Sequence, residues 1–93
     1  MRTMKATLIT HRKLRHAQGK IEMVVWAVPK PIDPSLHAFK YRLVYIVDGV
    51  RVVVYDNERG KGDHKHLGAL ELAYVFVDVP TLIKDFKKDV EKL

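Results

Sequence analysis

The stretch from Tyr55 to His66 holds the side chains of this sequence that are best suited to chemistry. It contains acids, cations, two glycines and two histidines spaced as His64-x-His66. On an extended backbone, side chains two residues apart point to the same side, so this spacing brings both imidazoles together. Polar loops on a rigid scaffold often carry catalytic or binding residues. The stretch therefore predicts either a functional loop or a solvated turn with two surface histidines.

The two histidines suit the cleavage of RNA through its 2′-hydroxyl group. That reaction needs a base, an acid and a cation that stabilises the charged phosphate. His64 and His66 are candidates for the acid and the base because histidine titrates near neutral pH, and Asp56 would orient one imidazole. Arg59 and Lys61 would hold the phosphate. A site of this kind requires no metal and no other cofactor.

The closeness of the two histidines along the chain also allows a different pairing. An acid and a base must reach opposite sides of the scissile phosphate, which neighbours on one strand do less readily. One of the two would then work with a histidine near the start of the chain, His11 or His16. Nucleotide transfer onto tRNA or protein is a further alternative, although the sequence has no Gly-Ser nucleotidyltransferase motif.

The same His64-x-His66 spacing is compatible with a metal site. With Asp56 or Asp63 it supplies two nitrogen ligands and one oxygen ligand, a set that zinc, manganese and nickel accept. The spacing alone is a weak signal, and the positive charges of Lys61 and Lys65 oppose a dication. An acid–base site without metal is therefore the preferred interpretation.

The positive charge of the chain is concentrated at its beginning. The formal net charge is +6, and residues 1–20 contain all of this excess and no acid. The cations there are Arg2, Lys5, Arg12, Lys13, Arg15 and Lys20. Clustered cations attract phosphates or an acidic partner. Arg12, Lys13 and Arg15, the dense part, are thus candidates for nucleic-acid contacts, either in an enzyme or in a non-catalytic binding module.

Apolar and turn patterns predict a series of strands followed by one helix. The predicted strands are 5–10, 21–28, 39–47, 50–57 and 73–77. Three prolines make 29–37 an extended loop, because proline neither continues a helix nor donates to a sheet. Asp48-Gly49 is a strong signal for a type I′ hairpin turn. A helix over 79–93 begins after Asp78, whose side chain is a suitable N-cap.

The Asp48-Gly49 turn also predicts the register of the hairpin that it closes. It pairs Arg42 with Tyr55 and Tyr41 with Asp56. One face of the hairpin then ends in Lys40, Arg42, Tyr55 and Asn57. Cations beside an aromatic ring and an amide suit a phosphate and a stacked base. Ordinary solvated strand ends are the alternative.

The predicted fold class is α+β, an antiparallel sheet of about five strands, mostly a meander, with one C-terminal amphipathic helix. Residues 1–93 suffice for a single domain. The strand 21–28 is apolar on both faces, whereas one short helix covers one face, so we expect a homodimer or a bound partner. The sequence has no cysteine, no signal peptide and no apolar run approaching the roughly 20 residues of a membrane helix. We therefore expect a cytoplasmic protein with no membrane contact.

Several motifs together resemble the TumE-type toxin family of prokaryotic toxin–antitoxin modules. They are Tyr55-Asp56-Asn57, His64-x-His66, the aromatic stretch from Tyr74 to Val77, and Leu82-Ile83-x-x-Phe86. The resemblance runs from the strand that contains Trp26 to the C-terminus. It implies a growth-inhibiting toxin that a DNA-binding antitoxin neutralises, and it implies no particular catalytic mechanism. RNA is the target that the site residues themselves predict.

Overall fold

The computed structural model describes residues 5–93 as a six-stranded antiparallel sheet and one helix. The strands are β1 (Thr7–His16), β2 (Gly19–Ala27), β3 (Phe39–Val47), β4 (Val50–Asp56), β5 (His64–Leu67) and β6 (Leu70–Ala73), and the helix is α1 (Val79–Glu91). Each strand pairs with its neighbour in sequence, in the order β1-β2-β3-β4-β5-β6. The predicted α+β meander with a C-terminal helix is confirmed. Of the basic segment, Arg2 lies outside the described residues.

The first hairpin is longer than its apolar pattern predicted. β1 continues to His16 rather than ending at residue 10, and β2 begins at Gly19. Ala17 and Gln18 form the turn, with a φ of 53° at Ala17. The basic segment is a strand because it pairs with β2, and its charged side chains alternate with Leu14, which packs against the core. Charges on such an edge strand discourage pairing with other chains.

The turn of the second hairpin was predicted correctly, but its register was not. Asp48 and Gly49 both have positive φ, 52° and 77°, as a type I′ turn requires. The pairing then shifts by one residue, because Val52 is an extra residue that forms a bulge in β4. A bulge exchanges the faces of all residues beyond it.

The shifted register moves two predicted site residues into the core. Arg42 pairs with Asp56 rather than with Tyr55. Tyr55 and Asn57 instead point to the opposite face, where their exposed fractions are 0% and 1%. The prediction that they stand beside Lys40 and Arg42 was therefore wrong, because the sequence pattern does not reveal the bulge.

The two faces of the sheet differ in character. The helix face packs against α1, and its buried sheet residues are Ile21, Met23, Val25, Tyr41, Leu43, Tyr45, Val53 and Tyr55. We name the opposite side the open face. Its register positions are occupied by Leu8, His11, Lys13, Arg15, Lys20, Glu22, Val24, Trp26, Lys40, Arg42, Val44, Ile46, Arg51, Val54, Asp56, His64, His66, Glu71 and Ala73.

A hairpin of β5 and β6 replaces the predicted strand 73–77. β5 begins within the stretch that was predicted to be a loop, and residues 74–78 lie outside the sheet. Tyr74 and Phe76 of this segment are partly buried against the core. The ring of Phe76 stacks on His37 with centroids 3.8 Å apart. Inward aromatic side chains at alternate positions are the pattern of a strand, which explains the wrong prediction.

The helix begins where its sequence predicted and ends at Glu91, two residues before the predicted end. Asp78 is the N-cap and accepts a hydrogen bond from the backbone N–H of Thr81 at 2.8 Å. Leu82, Phe86 and Val90 are buried against the sheet, each contributing about 1.5–3 kcal/mol of apolar burial. No helix within residues 5–93 is long and apolar enough to cross a membrane.

A buried carboxylate fastens the helix to the sheet. Asp89 accepts hydrogen bonds from the Tyr55 hydroxyl and from Lys65 Nζ, the latter at 3.0 Å. Burial alone would raise the pKa of Asp89, but the hydrogen bonds from Tyr55 and Lys65 outweigh it, helped by the positive charges nearby. The pKa of Asp89 is therefore lowered from its ordinary 3.8. Burial and the Asp89 carboxylate raise the pKa of Tyr55, which keeps its proton.

Asp89→Asn should weaken the attachment of the helix, because an amide cannot form the ion pair with Lys65. We expect the free energy of unfolding at neutral pH to fall by about 1–3 kcal/mol, measured by thermal or urea denaturation. The depressed pKa means that Asp89 stabilises the fold above pH 3.8 and that this contribution is lost as the pH falls further. The variant should therefore lose less stability than the native chain between about pH 4 and pH 2.

Glu91→Gln is the matched control, since Glu91 is an exposed acid on the same helix. It should leave both the stability and its pH dependence unchanged. If Asp89→Asn lost as much stability as the native chain between about pH 4 and pH 2, the proposed role of this carboxylate would be contradicted.

Candidate functional site

The candidate site lies on the open face where β4, β5 and β6 meet. The register places Arg42, Asp56 and His64 in one row across the sheet. His66 lies two residues further along β5, opposite Glu71 of β6. The rings of His64 and His66 are together, as their spacing predicted, with centroids 5.2 Å apart and planes at 78°.

His64 is buried and is held at both ring nitrogens. Nδ1 lies 2.9 Å from the carbonyl oxygen of Gly62, to which it donates because a carbonyl can only accept. Nε2 lies 2.7 Å from Asp56 Oδ1. That oxygen is buried and has no hydrogen-bond partner within residues 5–93. With a side chain only 7% exposed, His64 has a fixed orientation.

His66 is the more accessible imidazole. Its side chain is 33% exposed, and its Nε2 lies 3.8 Å from Glu71 Oε2, beyond hydrogen-bond distance. Lys65, between the two histidines in sequence, points to the helix face and pairs with Asp89. The Nε2 atom of His66 is thus available to a substrate.

Three ligand atoms of this site are close enough together to hold a metal ion. They come from His64, His66 and Glu71 and lie within 4.8 Å of one another. Two imidazole nitrogens and one carboxylate oxygen form a set that zinc accepts. Sequence reasoning missed Glu71, which only strand pairing brings to the site, and proposed Asp63, which lies elsewhere. Lys65 does not oppose a dication here, since its side chain is on the other face.

A groove beside the histidines gathers cations and an aromatic ring. Its lining includes Trp26, Lys40, Arg42, Asp56 and Glu58. Lys40 and Arg42 are exposed, and Trp26 is half-buried. Neither cation forms an ion pair within the described part of the chain. The groove therefore presents two cations to a ligand, with the two acids Asp56 and Glu58 beside them.

The remaining predicted cations are dispersed. Arg59 and Lys61 are exposed in the loop between β4 and β5 and form no ion pair among residues 5–93. Arg12 has a register position on the helix face, whereas Lys13 and Arg15 are on the open face. The predicted basic cluster is thus divided between the two faces.

The histidines of the first hairpin do not reach this site. His11 is at the far end of the row that contains His64, four strand spacings or about 19 Å away. Its Nε2 lies 3.1 Å from Glu22. His16 lies edge-on to the ring of Tyr45. The geometry therefore gives no support to a pairing of either with the β5 histidines.

A second buried polar cluster fixes the loop that leads into β5. Asp63 accepts hydrogen bonds from three side chains. They are the Ser35 hydroxyl, His37 Nε2 at 2.6 Å and the Tyr41 hydroxyl at 2.8 Å. His37 Nδ1 accepts from the backbone N–H of Phe39, so the ring proton is on Nε2. Burial, and then the hydrogen bond to Asp63, raise the pKa of Tyr41, which stays protonated.

This Asp63 cluster is structural and is not a nucleophilic triad. Ser35 and His37 both bond to Asp63 and not to each other, so no base accepts the serine proton. The side-chain amide of Asn57 joins the same loop to β3, since it accepts from the backbone N–H of Tyr41 and donates to the carbonyl oxygen of Phe39. Together these bonds hold the loop after β4 against the proline-rich loop before β3, and so fix where β5 begins. Sequence reasoning missed the cluster because its members come from separate segments.

The sequence of this chain matches a protein-family model over nearly its whole length. Residues 4–93 match the model of the family described as toxin TumE. The chain belongs to the TumE toxin family. No curated protein and no solved structure matched it.

As a TumE toxin, the chain is the toxin component of a toxin–antitoxin module, and an antitoxin is its expected partner. The resemblance carried by Tyr55-Asp56-Asn57 and His64-x-His66 is confirmed. The match also covers β1, which precedes the stretch that carries the resemblance.

In this TumE toxin, His64→Ala and His66→Ala should differ in their effect on folding. His64 is buried with polar contacts at both nitrogens, so its replacement should lower the free energy of unfolding by about 1–3 kcal/mol. His66 is partly exposed, and its replacement should change that value by about 0.5 kcal/mol or less. Thermal melts of the two variants measure the difference. Equal melting temperatures of the two variants would contradict this difference.

Proposed function

We propose that this toxin acts on RNA as a metal-independent ribonuclease with histidine acid–base chemistry. The observation that carries the proposal is the accessible imidazole of His66, 5.2 Å between ring centroids from the buried His64. Both lie on a sheet face that also has the exposed Lys40 and Arg42 and the half-buried Trp26. An RNA target places the activity in the cytoplasm.

The proposed reaction breaks the RNA chain through its own 2′-hydroxyl. His66 Nε2 removes the hydroxyl proton while the oxygen attacks phosphorus and the bond to the next nucleotide's 5′-oxygen breaks. The leaving 5′-oxygen takes a proton from His64 Nε2, which exchanges its contact with Asp56 for one with the substrate while Nδ1 stays on the Gly62 carbonyl. The products are a 2′,3′-cyclic phosphate and a 5′-hydroxyl, and the two imidazoles have exchanged protonation states.

The cations and the indole ring near the histidines bind the substrate in this proposal. Arg42, on the neighbouring part of the open face, stabilises the charge of the reacting phosphate. Lys40 contacts an adjacent phosphate, and Trp26 offers a ring on which a base stacks. Arg59 and Lys61, exposed in the loop before β5, are further phosphate contacts.

Replacing His66 tests the proposed chemistry. His66→Ala should slow cleavage of a labelled single-stranded RNA by about a hundredfold or more, the usual contribution of general acid–base catalysis. Loss of growth arrest on expression gives a second readout. His11→Ala is the matched control, because His11 is an exposed histidine on the same face at the opposite edge of the sheet. Full activity of His66→Ala would contradict the proposal.

The three close ligand atoms favour metal-assisted cleavage as a second candidate. His64, His66 and Glu71 would then hold a zinc ion that activates a water molecule. A chelator distinguishes the two candidates, since it should leave acid–base cleavage intact and abolish metal-assisted cleavage. Glu71→Gln should likewise have little effect on a reaction that uses no metal.

We also infer that the neutralising partner is a DNA-binding antitoxin. The family match supports an antitoxin as the partner. We infer that the antitoxin binds DNA from the resemblance of the chain to the toxins of such modules. The cationic open face suits an acidic segment of such a partner, which would compete with RNA for the same charges.

A homodimer through the edge strand β6 is the assembly that we propose. The open face requires no second subunit to cover it, because Val44 and Val54 are only 4% and 7% exposed. Apolar side chains remain exposed at the edge, where Leu70 and Leu72 are 57% and 38% exposed. An edge strand leaves backbone groups unpaired, which favours pairing with a second copy.

Sedimentation at micromolar concentration should therefore give twice the chain mass of 10.8 kDa. Leu72→Glu should produce a monomer, because a charge on an edge strand opposes pairing. Leu36→Glu is the control, since Leu36 is an apolar residue 95% exposed outside β6. A native chain that sediments as a monomer would contradict the proposed dimer.

A further inference from the structure

Four exposed cations lie on the open face near the turns of the first two hairpins. Cross-strand pairing places Arg15, Lys20, Ile46 and Arg51 in one row over four strands. Lys13 is next to Arg15 on the same face of β1. We name Lys13, Arg15, Lys20 and Arg51 the distal patch.

Most of the charge of the distal patch has no acidic partner among residues 5–93. Arg15 and Lys20 are directly opposite each other in β1 and β2, an arrangement that destabilises a sheet. Within residues 5–93, Arg15, Lys20 and Arg51 form no ion pair. The neighbouring acid, Glu22, is 3.9 Å from Lys13. An external anion would relieve this repulsion.

The distal patch borders a groove with an apolar floor. Ile46 forms part of this floor, and Lys13, Arg15, Lys20 and Glu22 also line the groove. An apolar floor framed by cations suits a phosphate that carries a sugar and a base better than it suits a free inorganic anion.

We propose that the distal patch is a second phosphate-binding site, which holds single-stranded RNA several nucleotides from the bond that is cleaved. This inference rests on the proposed ribonuclease function and names the substrate class. With ~4.8 Å between strands and ~3.4 Å per residue along a strand, the patch extends from about 8 Å from His66 at Arg51 to about 20 Å at Arg15. An extended strand of several nucleotides covers that distance.

The arrangement of the open face favours a single strand over a duplex. Trp26 and Ile46 are partly exposed and offer apolar contacts to base faces, which are hidden in a duplex. Arg42 and Arg51 lie in different rows of the open face, on either side of the row that contains His66. Cations placed in this way follow a backbone that passes over the histidines.

Binding of a 2′-O-methyl oligouridine tests the distal site independently of cleavage, because this probe lacks the reactive hydroxyl. Fluorescence anisotropy compares probes of about three and about eight nucleotides. The double variant Arg15→Glu/Lys20→Glu should bind the longer probe about tenfold more weakly and the shorter probe with native affinity. For the longer probe, the slope of log affinity against log salt should fall by about 1.4, at ~0.7 per lost phosphate contact.

Arg12→Glu/Lys84→Glu is the matched control, since it changes the same charge at exposed positions on the helix side of the sheet. It should bind both probes within about twofold of the native chain. If Arg15→Glu/Lys20→Glu fails to fold, Arg15→Gln/Lys20→Gln provides a milder variant. Its melting temperature shows whether it is folded.

This inference would be overturned if the distal variants bound the longer probe with native affinity. It would also be overturned if the control variant lost as much affinity, or if the native chain bound an RNA duplex as tightly as the single strand. Failure of the native toxin to cleave ordinary RNA would instead overturn the ribonuclease proposal. The length dependence of binding to the methylated probe would still decide whether the distal site exists.

Discussion

The bulge at Val52 determines what the second half of the sheet presents on each face. Side chains alternate along a strand, so one extra residue exchanges the faces of all the residues that follow. The bulge turns Tyr55 toward the helix, where its hydroxyl meets Asp89. It also turns Asp56 toward the open face, where it meets His64. The docking of the helix and the construction of the candidate site therefore depend on the same residue.

Two buried carboxylates stabilise the helix side and leave the open side available for a ligand. Asp89 collects donors from β4 and β5, and Asp63 collects donors from the proline-rich loop and β3. Buried charges are tolerated where hydrogen bonds and opposite charges satisfy them, as they do here. On the open face, by contrast, Arg42 and Lys20 have no such partner among residues 5–93. That difference is why the open face is the binding surface in this account.

Signals that depend on a few neighbouring residues could be predicted from the sequence. The Asp48-Gly49 turn, the Asp78 cap and the shared side of His64-x-His66 are all of this kind. The bulge could not be predicted, because the valines of β4 fit a buried position on either face of a central strand. Glu71 enters the site only through the pairing of β5 with β6, and the donors to Asp63 come from distant segments. The bulge, the position of Glu71 and the donors to Asp63 depend on contacts between segments, which local propensity does not predict.

The fluorescence of Trp26 is the most direct test of the claim that the open face binds RNA. It is the only tryptophan of the chain and lies half-buried in the groove beside Lys40 and Arg42. Titration with a non-cleavable single-stranded oligonucleotide should quench this fluorescence and saturate together with binding, because a base stacks on the ring. Binding that is detected by another method while the Trp26 emission stays unchanged would place the RNA elsewhere and contradict the account.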